Sequence, residues 1–288
     1  MSFSADVKEE LTRHISSARH CQIAELAAMM HFAGQYGQTA DDGLIIGFQT
    51  ENQAVLRKGF TLLKKNYNIE TATTLYGDEK QEILAKFGDL SEPVNPLLLK
   101  STCCKRAFLR GAYLCIGSMS DPEKSYHLEF VCVRLAQAMQ LQEILIDFEI
   151  EAKIVRRKKY YVVYIKEGSG IVELLGVMEA HVSLMNLENL RILKEMRNSI
   201  NRRVNCEAAN ITKTVNAAAK QVEDIMLIRD TCGLGQLPDN LREMAEVRLE
   251  YPDATLKELG EYLNPTVGKS GVNHRLRKLS ELAEKIRA

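Results

Sequence analysis

Residues 26–34 read Leu-Ala-Ala-Met-Met-His-Phe-Ala-Gly, and residues 109–117 read Leu-Arg-Gly-Ala-Tyr-Leu-Cys-Ile-Gly. Laid over each other they define a weak internal repeat at an offset of about 82 or 83 residues. Each segment is a short helix rich in small residues. Ala28 falls opposite Gly111, and the two copies end in Gly34 and Gly117. Small side chains at matched positions let two helices approach closely about a pseudo-twofold axis. The flanks correspond as well. Leu44 to Gln49 and His127 to Val131 alternate like strands, and each leads into a helix with apolar periodicity: Ala54, Leu56, Phe60 and Leu63, then Leu135, Met139 and Ile144. Extended stretches follow, clearest at Glu149 to Val155 and Tyr160 to Lys166, on either side of a basic turn. Each half therefore predicts helix, strands, helix, strands, over about 20–100 and 104–180.

A chain of 288 residues accommodates two domains or three. Basic and acidic residues balance at 38 each. A nucleic-acid partner would therefore have to be held by local clusters of positive charge. No apolar run reaches the roughly 18 residues of a membrane span. The opening Met1-Ser2-Phe3-Ser4-Ala5-Asp6 runs into a polar, acidic stretch unlike a signal peptide. The seven cysteines (21, 103, 104, 115, 132, 206, 232) include no Cys-x-x-Cys spacing, and Cys103-Cys104 are adjacent. They read as reduced, partly buried thiols of a cytosolic protein, with neither metal ligation nor a cofactor expected.

From His181 to about Arg203 the pattern is helical, with Leu184, Leu187, Leu190, Leu193, Met196 and Ile200 on one stripe. Arg191, Lys194, Arg197, Arg202 and Arg203 stand beside it, as a solvated helix face or placed to border a duplex or pack across a domain junction. Residues 201–215, rich in asparagine and threonine, read as a linker. Beyond it a helix runs from about Val215 to Arg229. Another opens at Pro238-Asp239-Asn240, with Asn240 to Glu243 at capping-box spacing. Thr255 to Glu258 has the same spacing and starts a short helix with Leu256, Leu259 and Leu263 inward. Asn264-Pro265-Thr266-Val267-Gly268 breaks it, and a last helix begins near Ser270. Short helix, brief turn, longer helix is the helix-turn-helix order.

At 100° per residue Val272, Leu276, Leu279 and Ala283 share one face of the last helix. Ser270, Asn273, His274 and Arg277 lie opposite, flanked by Arg275 and Lys278, and no acid occurs from 262 to 280. Arginine forks to guanine and asparagine to adenine in the major groove, while serine and the helix start suit phosphate. Thr255 and Lys257 are placed for backbone contacts, Lys269 joins the DNA-binding set, and Gly271 suits close approach to the duplex. His274 reads as a surface or cap residue, since no cysteine or histidine sits at ligand spacing. The same polar face would equally serve a unit that binds protein.

The two nine-residue helices resemble degenerate copies of the motif that names the LAGLIDADG homing endonucleases. Ser2 to Leu11, Arg106 to Leu114, Asn205-Cys206-Glu207-Ala208-Ala209-Asn210 and Gly268 to Leu279 resemble the WhiA family of bacterial sporulation and cell-division regulators, over essentially the whole chain. The resemblance implies an α+β chain: a degenerate two-repeat LAGLIDADG-like domain over 1–200, the linker 201–215, and an all-α helix-turn-helix domain over 216–288. It implies sequence-specific binding to double-stranded promoter DNA in the bacterial cytoplasm, at the nucleoid and away from membranes. The implied role is transcriptional control of cell division and chromosome segregation, with sporulation in species that sporulate. The N-terminal domain would add phosphate contacts or dock a regulatory protein. A protein-binding scaffold or a nucleoid-associated factor stands as the alternative.

In the nucleases the eighth motif position is acidic, and the pair holds the metals that activate water. Here those positions are Ala33 and Ile116, and neither can ligate a hard cation. Nearby Asp41, Asp42, Asp121 and Glu129 lie past the terminal glycines, in turns or strands. DNA binding without cleavage is expected, and an active endonuclease would need a carboxylate pair found elsewhere. Lys153, Arg156, Arg157, Lys158, Lys159 and Lys166, interleaved with Tyr160, Tyr161 and Tyr164, form a basic hairpin free of acids from 152 to 166. It could meet phosphates, a protein or another anionic ligand, or simply protect an edge strand.

Overall fold

The computed structural model describes residues 2–70 and 73–287 and divides into two compact units, Met1–Glu195 and Met196–Ala288. In the first, α1 (Phe3–Arg13) precedes two related element orders, the second with one strand more. The first copy runs α2 (Arg19–Ala33), β1 (Gly34–Gln38), β2 (Leu44–Phe48), α3 (Gln53–Tyr67), β3 (Thr74–Leu75) and α4 (Gly77–Phe87). The second runs α5 (Thr102–Ile116), β4 (Gly117–Met119), β5 (Leu128–Cys132), α6 (Leu135–Ile146), β6 (Lys153–Arg157), β7 (Tyr160–Ile165) and α7 (Gly168–Val177). All pairings are antiparallel, in the orders β1-β2-β3 and β4-β5-β7-β6. This is the α+β, two-repeat architecture read from the paired helices.

Helices α2 and α5 form the centre of this unit. Ala24, Leu26, Ala27, Ala28, Met29 and Met30 on α2, and Ala107, Phe108, Leu109, Ala112 and Tyr113 on α5, are all fully buried. A Cβ at Gly111 would stand 2.5 Å from the Glu25 carbonyl oxygen and 3.0 Å from the Ala28 Cβ. Only glycine fits a crossing so close. Gly34 and Gly117 follow the helices as their C-caps, donating to the carbonyls of Met30 and Tyr113.

A buried ion cluster that periodicity does not reveal spans this helix pair. Glu25 on α2, fully buried, pairs with Lys58 of α3 and, at 3.2 Å, with Arg110 of α5. Arg110 also reaches Glu179 at 2.6 Å and donates to the Met178 carbonyl and Ser16 Oγ. Lys58 donates to the Leu11 carbonyl at 2.7 Å. Burial pulls the Lys58 ammonium below its ordinary value, opposed by Glu25. Buried charges persist only when paired in this way.

Other expectations need correction. On α6 the inward face is Ala138, Leu141, Ile144 and Leu145, whereas Leu135 and Met139 are exposed. Strand β6 starts at Lys153, after a turn in which Glu149 takes positive φ. Residues 201–215 are helical. They lie within α8 (His181–Thr231), which also absorbs the separate helix expected from Val215. No glycine or proline occurs from 181 to 231. The threonines that read as linker instead turn back on the helix, Thr212 to the Ala208 carbonyl and Thr214 to that of Asn210, each at 2.9 Å. The apolar stripe on α8 is buried at Leu187, while Leu193, Met196 and Ile200 are exposed.

The second unit holds the end of α8 with α9 (Asp239–Glu250), α10 (Leu256–Glu261) and α11 (Lys269–Arg287). Its core gathers Ile225 and Ile228 of α8 with Leu241, Met244 and Ala245 of α9. Leu259, Leu263, Val272, Leu276, Leu279 and Ala283 complete it. Among the described residues, no helix is long and apolar enough to cross a membrane.

Candidate nucleic-acid interface

The turn between α10 and α11 is built from short-range chemistry. Thr255 and Glu258 form a capping box. The Thr255 N–H donates to Glu258 Oε2 at 2.7 Å, and the Glu258 N–H donates to Thr255 Oγ1 at 3.4 Å. The bond from the Thr255 N–H holds the Glu258 carboxyl below its usual range, with help from the Thr255 side chain. Gly260 lies so close to the Val267 carbonyl that a side chain there would meet backbone, and the Val267 N–H donates to the Gly260 carbonyl at 3.0 Å.

Glu243 does not cap α9, whose N-cap is Pro238 with no side-chain bond. Its carboxylate accepts from the Asn264 N–H at 2.7 Å and pairs with Arg275 at 3.6 Å. One side chain thus ties α9 to both the turn and the last helix. The sequence signal was the acid itself, assigned to the nearest helix start instead of to a partner 21 residues away.

With that frame fixed, α11 buries Val272, Leu276, Leu279 and Ala283, and Lys269, Ser270, Asn273, His274, Arg277 and Lys278 are exposed. Among the described residues, Arg277 has only a helical-turn pairing with Glu281 at 3.2 Å. Lys257, exposed on α10, stands 4.0 Å from Glu261. Arg275 differs: it is half-buried and turned onto Glu243 and the Asn240 carbonyl, so it braces the helix instead of standing free. Gly271 also has an internal reason, because a Cβ there would collide with the Val267 side chain. The outcome is a cationic, hydrogen-bonding face on a helix packed by its opposite side, with donors that suit base edges and phosphates.

In the first unit β6 and β7 form the basic hairpin, with Arg156 opposite Tyr161 and Arg157 opposite Tyr160. Lys158 takes a left-handed φ of 56° in the two-residue turn with Lys159. Arg156, Arg157, Lys158 and Lys159 are exposed on an edge strand and its turn. Arg157 is drawn to Glu129 at 3.3 Å, and Lys159 lies over the Tyr160 ring. Arg197, Arg202 and Arg203 are exposed on α8, Arg203 paired with Glu207 at 3.1 Å.

Ala33 and Ile116 end α2 and α5. A cleft of about 280 Å³ beside Ile116 is lined by His31, Phe32, Ser91, Arg134 and Gln137 and carries no carboxylate side chain. The nearby acids are committed elsewhere. Asp41 accepts from the Tyr76 hydroxyl at 2.6 Å, Asp42 pairs with Lys80 at 2.9 Å, and Glu129 pairs with His127 at 3.0 Å. Asp121 accepts from the Glu123 N–H at 2.9 Å in a turn.

Known proteins match this chain along its length. Residues 19–81 match the WhiA N-terminal LAGLIDADG-like domain, 105–197 the WhiA LAGLIDADG-like domain, and 200–283 the WhiA C-terminal HTH domain. The chain is 54% identical to a probable cell division protein WhiA of Lachnoclostridium phytofermentans, with both proteins covered completely. It is 50% identical to that of Alkaliphilus oremlandii, over 99% of this chain and 98% of that one. The crystal structure of full-length DUF199/WhiA from Thermatoga maritima superposes with a TM-score of 0.60 at 27% identity, over 99% of each chain. With the repeat, the helix-turn-helix and relatives matched end to end, the chain belongs to the WhiA family.

Proposed function

We propose that this protein binds double-stranded promoter DNA in a sequence-specific way through α11 and regulates transcription without cutting its target. The observation that carries the reading is the exposed row Ser270, Asn273, His274, Arg277 and Lys278 on a helix whose opposite face is buried. Asn273 and Arg277 read base edges, and Thr255, Lys257, Lys269 and Ser270 hold phosphates. The hairpin residues Arg156 to Lys159 and the α8 arginines 197, 202 and 203 add secondary phosphate contacts. The relatives named cell division proteins support a role in division, and the regulator reading extends it to chromosome segregation, and to sporulation where the host sporulates. Its place is the bacterial nucleoid.

Mapping bound sites across the host genome tests this directly. Discrete promoter peaks sharing one sequence, with altered transcripts on depletion, are expected; uniform coverage would leave a general nucleoid factor instead. Ala33 and Ile116 support the absence of hydrolysis, and supercoiled plasmid should stay intact with magnesium. A partner protein has its own support: Met196, Ile200, Val204, Ile211 and Val215 stand exposed along α8. Ile211→Ser with Val215→Ser, away from the α8 arginines and neutral, would then weaken complex formation while sparing DNA affinity.

A further inference from the structure

The repeat that pairs α2 with α5 also pairs their first turns. His20 and Cys21 occupy the second and third positions of α2, and Cys103 and Cys104 occupy the same positions of α5, 83 residues later. The crossing brings all four together. His20 Nδ1 lies 3.2 Å from Cys104 Sγ, 3.4 Å from Cys21 Sγ and 4.0 Å from Cys103 Sγ. The four ligand atoms all lie within 4.8 Å of one another, the only such group of three or more histidine, cysteine or acidic side chains among the described residues. We propose that His20, Cys21, Cys103 and Cys104 form a Cys3His site for a single zinc-class divalent cation, clamping the two repeats at one end of their helix pair.

The geometry fits one tetrahedral ion. Zinc bonds of about 2.3 Å to sulfur and about 2.0 Å to nitrogen place N and S ligand atoms about 3.5 Å apart, within about 0.5 Å of all three distances to His20 Nδ1. Three soft thiolates with one imidazole select zinc over magnesium or calcium, which want oxygen. The surroundings supply compensating charge. Neither helix start has a side-chain cap, so the amide ends of α2 and α5 favour thiolate. A cleft of about 360 Å³ lined by His20, Cys104, Lys86 and Lys100 gives the ion a path, and two ammonium groups to offset the site's negative charge.

Cys21 and Cys104 are buried, while His20 and Cys103 are exposed, as suits a site at the rim of a core. On binding, each coordinated thiol would release its proton to solvent, so uptake of the ion depends on pH. Spacing along the chain conceals the set, because adjacent cysteines form half of a site that the repeat completes from 83 residues away.

The test is cobalt titration of the full-length, metal-stripped protein under reducing conditions. One equivalent should produce the thiolate-to-cobalt charge-transfer band and the intense visible bands of a tetrahedral ion, both erased by equimolar zinc. Zinc should also raise the unfolding temperature. Cys103→Ser and His20→Ala change exposed side chains; each should weaken the bands and abolish the zinc-dependent thermal shift. Cys206→Ser with Cys232→Ser should leave both readouts intact. Absence of the charge-transfer band, or bands undiminished in Cys103→Ser and His20→Ala, would overturn the proposal, as would a reduced chain that takes up no metal but forms a Cys21 disulfide when oxidised.

Discussion

Single side chains decide how closely the two repeats meet. Alanine at Gly111 would gain up to about 1 kcal/mol in helix propensity. Its methyl would nevertheless enter backbone at the Glu25 carbonyl, so a net loss of about 1–3 kcal/mol is expected in urea unfolding. Removing the shared anion is worse. Glu25→Ala leaves Lys58 and Arg110 buried without it, and a loss of about 3–5 kcal/mol should follow. Gly111 was legible because Ala28 stood opposite it in the repeat. The ion cluster was not, because its partners come from three helices and no periodicity links them. Acid sensitivity also has a residue-level source. The Glu258 carboxyl is depressed in the folded state, so its contribution is present above the ordinary glutamate value and is lost as pH falls through the lower folded one. Glu258→Gln should therefore flatten the decline in stability between about pH 5 and about pH 3; an unaltered acid limb would contradict that assignment.

At the level of elements, the helical wheel of α11 foresaw which side chains pack, and the buried row Val272, Leu276, Leu279 and Ala283 gives the reason: one narrow stripe must satisfy three neighbouring helices. Leu276→Ala should cost about 2–5 kcal/mol and melt the second unit before the first. Composition misled where short-range bonding could take over, as at 201–215, where threonines bond back to the helix and no residue interrupts it. The setting of Arg275 escaped for a related reason. A wheel gives its angle on α11 but not the Glu243 that claims it from α9. For the hairpin, Arg157→Ala with Lys158→Asn keeps the left-handed turn position tolerable and removes two cations. The slope of log affinity against log salt should fall by about 0.9 for each phosphate that the hairpin no longer neutralises. An unchanged slope would remove the hairpin from the DNA interface.

For the molecule as a whole, the α+β repeat and the helix-turn-helix were readable because each rests on local patterning, small residues on paired helices and a capped short helix before a longer one. What escaped was assembled across the repeat: the ion cluster at Glu25 and the thiols at the starts of α2 and α5. Base-pair reading by α11 stands or falls with one comparison at a single salt concentration. The affinity of the full chain for its preferred promoter fragment is set against that of Asn273→Ala with Arg277→Ala. Each substitution should cost about 1–3 kcal/mol on the preferred site and far less on unrelated DNA, so the specificity ratio collapses. Equal affinity of the double variant and the parent for the preferred fragment would contradict the assignment of α11 as the recognition helix.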